Sequence, residues 1–217
     1  MKVHLVLGAP GSGKGSLAEL IGAKFALTHV STGDILRDSV SKGTEVGLKV
    51  RDCMANGTLV DDETVNGMVF ARLLEETGDV LFDGYPRTLK QATALDGFLA
   101  ERGSRYGVVL YIDVPAAVLE TRIVGRRVCR DSSCGAIFHI TRKAPRVEGV
   151  CDRCGGGLAH RADDSPEAFR VRMDVFKTSY EPMLRHYMDN PNFRQVGGLG
   201  LPAEVFEAVH AFYGETA

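Results

Sequence analysis

The chain has 217 residues, a hydrophobic content of 44% and a formal charge of −2. That suits one globular domain with a sizeable core, and no stretch approaches the ~20 apolar residues that span a bilayer. The charge gives no global attraction to nucleic acid, and the first apolar run breaks at Gly8-Ala9-Pro10, too early for a signal peptide, so the expected location is the cytoplasm.

Residues 2–7 read as a buried strand and 14–25 as a helix. Between them lies GAPGSGKGS, residues 8–16, in which Gly8 and Gly13-Lys14 carry the G-x4-G-K spacing. Such a loop turns backbone N–H groups onto a phosphate, adds the partial positive charge of a helix N-terminus, and extends a lysine to the transferable phosphates. A glycine-rich turn with an exposed lysine is the weaker reading. Gly15 stands where these loops place Ser or Thr, so Ser16 is the hydroxyl expected to meet a phosphate or Mg²⁺.

A short helix is predicted after Ser31, where Ser31 and Asp34 resemble a capping box, and Arg37 lies one turn in. Helices follow over 44–55 and 62–76. The strand 79–83 ends at Asp83-Gly84-Tyr85-Pro86-Arg87-Thr88. In a parallel sheet that end faces the ligand crevice. Asp83 is placed there to hold Mg²⁺ through water, and Arg87 faces the same space. A helix over 88–102 carries Gln91, which is either a capping partner of Thr88 or a reader of a base edge. The strand 108–114 leads through Pro115 into a helix to about Arg126, on which Arg122 and Arg126 share a face. Ser165-Pro166-Glu167 opens a helix to about Met188. A strand near 193–196 and a helix over 203–213 finish the chain.

Short apolar strands alternating with helices predict an α/β, three-layer P-loop fold: a five-stranded parallel sheet with helices on both faces. Two segments break the alternation and read as insertions at the ligand-binding edge. They cover 31–60, which is helical, and 127–160; with the family resemblance described below they imply a core of 1–30, 61–124 and 165–217, a helical insertion of 31–60, and a lid of 125–164. From Arg122 to Arg172 there are ten Arg and one Lys against six acids, a local charge of +5 in an otherwise acidic chain. Arginine's planar fork suits phosphate, whereas surface pairing with Asp131, Asp163, Asp164 or Glu167 is the alternative. The six histidines have no consistent partner and read as structural or exposed.

Four of the five cysteines fall at Cys129-x4-Cys134-x16-Cys151-x2-Cys154. Two close pairs separated by a loop suit tetrahedral Zn²⁺, and Fe or Co fit the same four sulfurs. Cys134 is the least regular ligand because of the x4 gap, with His139 as its substitute. Disulfides and a metal-free lid are the alternatives; the expected cytoplasmic setting disfavours the first. Four protein ligands leave no open position, so the metal would be structural. The segment has too few apolar residues to build its own core.

GAPGSGKGS, STGDILR, TLVDD, DGYPRT with Gln91, RIVGRR and HRADD together, in this order, resemble the adenylate kinase family over the whole chain. Gly15 is typical of that family. The resemblance implies transfer of a phosphoryl group from MgATP to AMP giving two ADP, by a monomer that binds neither nucleic acid nor membrane. It implies ATP contacts at Gly11, Ser12, Gly13, Lys14, Gly15, Ser16, Arg122, Arg126, Ile137, Phe138 and Gly200. It implies AMP contacts at Thr32, Arg37, Thr58, Leu59, Val60, Gly84, Tyr85, Pro86, Arg87, Gln91, Arg161 and Arg172. Lys14, Arg87, Arg126, Arg161 and Arg172 are the expected catalytic set. The x4 cysteine gap departs from the x2 gap of the zinc-lid members. Thr32 favours AMP over UMP or CMP, and GTP remains an alternative donor. A nucleic-acid-stimulated ATPase with a zinc ribbon would need a net basic chain.

Overall fold

A computed structural model describes residues 1–131 and 133–214; Ser132 of the expected lid and 215–217 of the expected core lie outside the described residues. The strands are β1 (Lys2–Gly8), β2 (Thr28–Ser31), β3 (Val80–Asp83), β4 (Arg105–Asp113), β5 (Arg126–Cys129), β6 (Ile137–His139), β7 (Leu158–Ala159) and β8 (Phe193–Gly197). The helices are α1 (Lys14–Phe25), α2 (Thr32–Ser41), α3 (Glu45–Asn56), α4 (Asp62–Glu75), α5 (Leu89–Glu101), α6 (Ala116–Val124), α7 (Pro166–Val175), α8 (Glu181–Met188) and α9 (Pro202–Gly214). A π-helical turn, Phe176–Tyr180, joins α7 to α8.

Five strands form one parallel sheet in the order β2-β3-β1-β4-β8. Alternate residues of β1 face opposite layers, as the strand period requires. Val3, Leu5 and Leu7 pack with Leu95, Met183 and Tyr187 on one side, against α4, α5 and α8. Val6 packs with Leu17, Ile21, Leu119 and Val209 on the other, against α1, α6, α7 and α9. Between Val3 and Leu5 the register with β4 shifts, and there His4 Nδ1 accepts the Val108 N–H at 2.9 Å. The chain leaves β1 toward β2 on one side and leaves β3 for β4 on the other. The carboxyl ends of β1 and β3 therefore flank a topological switch point, where such sheets hold ligands.

The caps agree with the residues that predicted them. Ser31, Thr88 and Ser165 accept from the N–H groups of Asp34, Gln91 and Ala168, and Pro166 takes the first turn of α7. Two features differ from expectation. Helix α6 stops at Val124, so Arg126 sits on β5 instead of sharing a helix face with Arg122. Gly125 marks the break: a Cβ there would meet His139 Nε2 at 2.3 Å. Second, β5, β6 and β7 make a small antiparallel sheet, order β6-β5-β7. Strands of two to four residues are too short to show a period of two in sequence.

Candidate active site

A cavity of about 1010 Å³ opens at the carboxyl ends of β1 and β3. That is the upper end of the range for a single-ligand pocket, and leaves room for two nucleotides. Gly11 through Ser16 line it, as do Thr32, Arg37, Thr58, Leu59, Val60, Asp83, Gly84, Arg87 and Gln91. Arg122, Arg126, Ile137, Phe138, Arg161, Arg172 and Gly200 line it too, although they lie over a hundred residues beyond the 11–16 loop. Tyr85 and Pro86, joined by a cis peptide bond, do not. Tyr85 is fully buried and its hydroxyl donates to Asn66 Oδ1 at 2.7 Å, so its role is to anchor the turn.

The glycine loop connects β1 to α1. Lys14 Nζ donates to the carbonyls of Gly8 and Ala9 at 2.8 and 2.9 Å, which folds the lysine back over its own loop. Ser12 Oγ is buried without a hydrogen-bond partner among the described residues. An unmet buried hydroxyl on a loop that lines the cavity is what a phosphate oxygen would satisfy. Gly15 has a steric reason: a Cβ there would lie 3.0 Å from Asp83 Oδ2. The missing side chain lets the β3 carboxylate come up against the loop. The Asp83 carboxylate makes no hydrogen bond to another described residue, so its oxygens are available to a hydrated divalent cation.

Cations crowd the same cavity, and Lys14, Arg87 and Arg126 feel the charge of Asp83 directly. Burial, opposed by Asp83 and reinforced by Arg87, Arg172 and Arg126, pushes Lys14 down to about 7. Burial is also the main cause that lowers Arg161 and Arg172 to about 10, with the neighbouring arginines adding to it. Arg87 and Arg122 are lowered as well, again chiefly by burial. Arg126 is the exception: burial works against its charge, but the bond to Asp164 and the charges of Asp164, Asp163 and Asp83 outweigh it. Cations gathered in one cavity at this cost make a site for an anion of several charges.

Ion pairing, the alternative the sequence left open, is present inside the cavity instead of on the surface. Arg126 grips Asp164 bidentately, through Nε at 2.7 Å and through Nη2, and Asp164 is wholly buried. Arg172 Nη1 bonds Asp163 Oδ2 at 3.0 Å and lies 3.5 Å from Asp164 Oδ1. Arg37 pairs with Asp34 one turn back. Arg161 makes no side-chain hydrogen bond to a described residue. The sequence offered Asp163 and Asp164 only as surface partners; adjacent acids following one arginine and preceding another were the available signal.

Gln91 takes the first of the two roles the sequence offered, the capping partner of Thr88. Its N–H donates to Thr88 Oγ1 at 3.1 Å, and its Oε1 accepts the Arg87 N–H at 2.8 Å. The amide oxygen is thereby committed, which leaves Nε2 as a donor on the cavity wall. Thr32 Oγ1 donates to the Gly84 carbonyl at 2.9 Å and ties α2 to the β3 loop. At Gly200, Arg122 and Arg142 both reach the neighbouring Leu199 carbonyl, at 2.9 and 2.8 Å. Arg142 is a cavity residue that the sequence did not single out.

The Sγ atoms of Cys129, Cys134, Cys151 and Cys154 all lie within 4.8 Å of one another, and none is in a disulfide. The Cys129–Cys154 and Cys134–Cys151 separations are 3.4 and 3.7 Å. A tetrahedron with metal–sulfur bonds of about 2.3 Å has edges of about 3.8 Å. The four thiols thus fit one tetrahedral ion, and the x4 gap does not displace Cys134. His139 is occupied otherwise: Nδ1 accepts from the Thr141 and Arg142 N–H groups, both at 3.1 Å, and Nε2 lies 3.2 Å from the Thr121 carbonyl. Cys53 stands apart in α3, half-buried.

Among the described residues no helix is long and apolar enough to cross a membrane. The family model described as adenylate kinase matches residues 6–192. The chain is 41% identical to an adenylate kinase of Clostridium tetani over 212 residues, 97% of each chain. It is 41% identical to that of Clostridium acetobutylicum over 217 residues, 99% of this chain and 100% of the relative. It is 42% identical to that of Methanothrix thermoacetophila over 207 residues, 94% and 95% of the two.

Proposed function

The chain belongs to the adenylate kinase family and catalyses phosphoryl transfer between ATP and AMP, and from that premise we propose how its residues divide the work. The observation that carries the reading is the meeting of Lys14, Arg87, Arg126, Arg161 and Arg172 in one cavity with the Asp83 carboxylate, a cavity with room for two nucleotides.

In this reading Gly11 through Ser16 cradle the ATP phosphates and Lys14 follows the γ-phosphoryl group in flight. Asp83 and Ser16 hold Mg²⁺, Asp83 through water; the ion, when bound, screens phosphate charge. Arg122, Ile137, Phe138 and Gly200 receive the rest of ATP. Thr32, Arg37, Thr58, Leu59, Val60, Gly84 and Arg87 bind AMP, with Arg37 and Arg87 on its phosphate. Gln91 Nε2 donates to a ring nitrogen that accepts, which adenine N1 does and the ring N–H of uracil or guanine does not. Arg126, Arg161 and Arg172 neutralise charge on the group in transit and need no nucleophile–base pair.

Residues 125–164 act as a lid stapled by Zn²⁺ on the four cysteines, 31–60 as the AMP-side flap, and the remainder as the core. Closure of both excludes water, which would otherwise take the phosphoryl group. Supporting the lid reading, Arg153, between two of the cysteines, reaches Glu19 on α1 at 2.5 Å. The protein works as a monomer in the cytoplasm, where thiols stay reduced.

Calorimetry with two adenosines bridged by five phosphates tests the assignment. With Lys14 near 7 before binding, the amine is mostly neutral at pH 8; polyphosphate beside it restores the charge. Binding should be one-to-one and take up close to one proton at pH 8, falling toward none from this group at pH 6. Unchanged heats across buffers of different ionisation enthalpy at pH 8 would remove Lys14 from the phosphate contacts.

A further inference from the structure

We propose that Tyr180 is a positioning residue for the phosphate loop, holding Gly8 so that Lys14 is aimed. The inference rests on the reading of residues 8–16 as the ATP-phosphate loop.

Gly8 is the last residue of β1, and the ladder to β3 ends two residues earlier, at Val6↔Asp83. Its N–H therefore lies beyond that ladder, and the partner it finds comes from 172 residues away: the Tyr180 hydroxyl accepts it at 2.5 Å. The carbonyl of the same residue accepts from Lys14 Nζ at 2.8 Å. Gly8 is thus gripped on both polar groups, one by the lysine and the other by the tyrosine. Tyr180 is 6% exposed and does not line the cavity, so it acts through the loop and not on a nucleotide.

The π-helical turn at 176–180 is what delivers it. Such turns inside α-helices are frequent at functional sites. Here the turn stacks the Tyr180 ring on Phe176, with centroids 4.5 Å apart, which fixes the phenol on rigid structure. The hydroxyl lies near enough to Arg87 and Asp83 to feel both charges, so the same phenol borders the loop and the acid it faces.

Tyr180→Phe keeps the ring stack and removes the oxygen. The buried Gly8 N–H then loses its acceptor, and the loop relaxes. The ATP dissociation constant should rise about five- to thirtyfold, with AMP binding changed less than twofold. In ¹⁵N spectra the Gly8 amide should move and exchange faster with solvent. Tyr187→Phe, which removes another buried phenol oxygen, 3.1 Å from that of Tyr106, is the control: it should lower the thermal midpoint and leave ATP affinity within twofold. ATP affinity within twofold of wild type in Tyr180→Phe, or equal losses in both variants, overturns the proposal. Should Tyr180→Phe not fold, the wild-type Gly8 amide decides: slow exchange supports the bond, and exchange at the rate of an exposed loop amide overturns it. Lys14→Ala separates the two levels. If that variant keeps wild-type ATP affinity, the loop reading itself fails and takes this inference with it. If it loses ATP while Tyr180→Phe does not, only the inference fails.

Discussion

Arg126→Ala lowers kcat about 10³-fold, the cost of removing a cation that neutralises a phosphoryl group in flight. Arg126 bonds Asp164 through Nε and Nη2, and that carboxylate has no exposed surface. Removing the guanidinium strands a buried charge, with Arg172 the remaining cation within 4 Å among the described residues, at 3.5 Å. Breaking a buried pair from one side costs about 3–5 kcal/mol, so the single variant should also be less stable. The two effects separate in the pair Arg126→Ala/Asp164→Asn, where the stranded carboxylate becomes a neutral amide. Denaturant titration should show most of the lost stability recovered in the double variant, while kcat stays about 10³-fold down. Recovery of turnover along with stability would make Arg126 a structural residue only.

Cys151→Ser weakens metal binding at least about 100-fold and drops the thermal midpoint by about 10 °C or more. The reason is visible in what holds the lid together. Its buried cluster is Cys129, Ala136, Phe138 and Cys151, with Cys134 and Leu158 packed against it. Half of the four buried members are cysteines, so without an ion little apolar surface is left to order the segment. Arg126 on β5 and Phe138 on β6 are held by that order, so activity should fall with it. Stripping the wild-type protein with a chelator should give the same midpoint, and adding Zn²⁺ back should restore it. A stripped protein that melts at the wild-type temperature would leave the lid without a structural metal.

The parts of this account that sequence carried well are those set by local spacing. The strand–glycine–helix run at 2–25, the caps at Ser31, Thr88 and Ser165, and the cysteine pairs each have a signature within a few residues. What sequence missed depends on contacts between distant segments. Arg126 looked like a partner of Arg122 because a lone Gly125 is a weak local stop; the need for glycine there comes from His139, fourteen residues later, whose ring lies where a Cβ would be. Asp163 and Asp164 looked like surface acids because their burial against Arg126 and Arg172 is a tertiary fact. Gln91 could not be resolved between cap and base reader because it is bonded as the first and left free for the second. Gly15, odd as a letter, is explained only when Asp83 is seen 3.0 Å from where its side chain would be.

The most direct measurement is ADP formation from MgATP with AMP, CMP, UMP or GMP as acceptor, compared by kcat/KM. With Gln91 Oε1 committed to the Arg87 N–H, only a donor faces the base, so AMP should lead. CMP, which also presents an accepting ring nitrogen, should follow, and UMP and GMP should trail AMP by at least about 100-fold. Turnover of UMP or GMP equal to that of AMP would contradict the account.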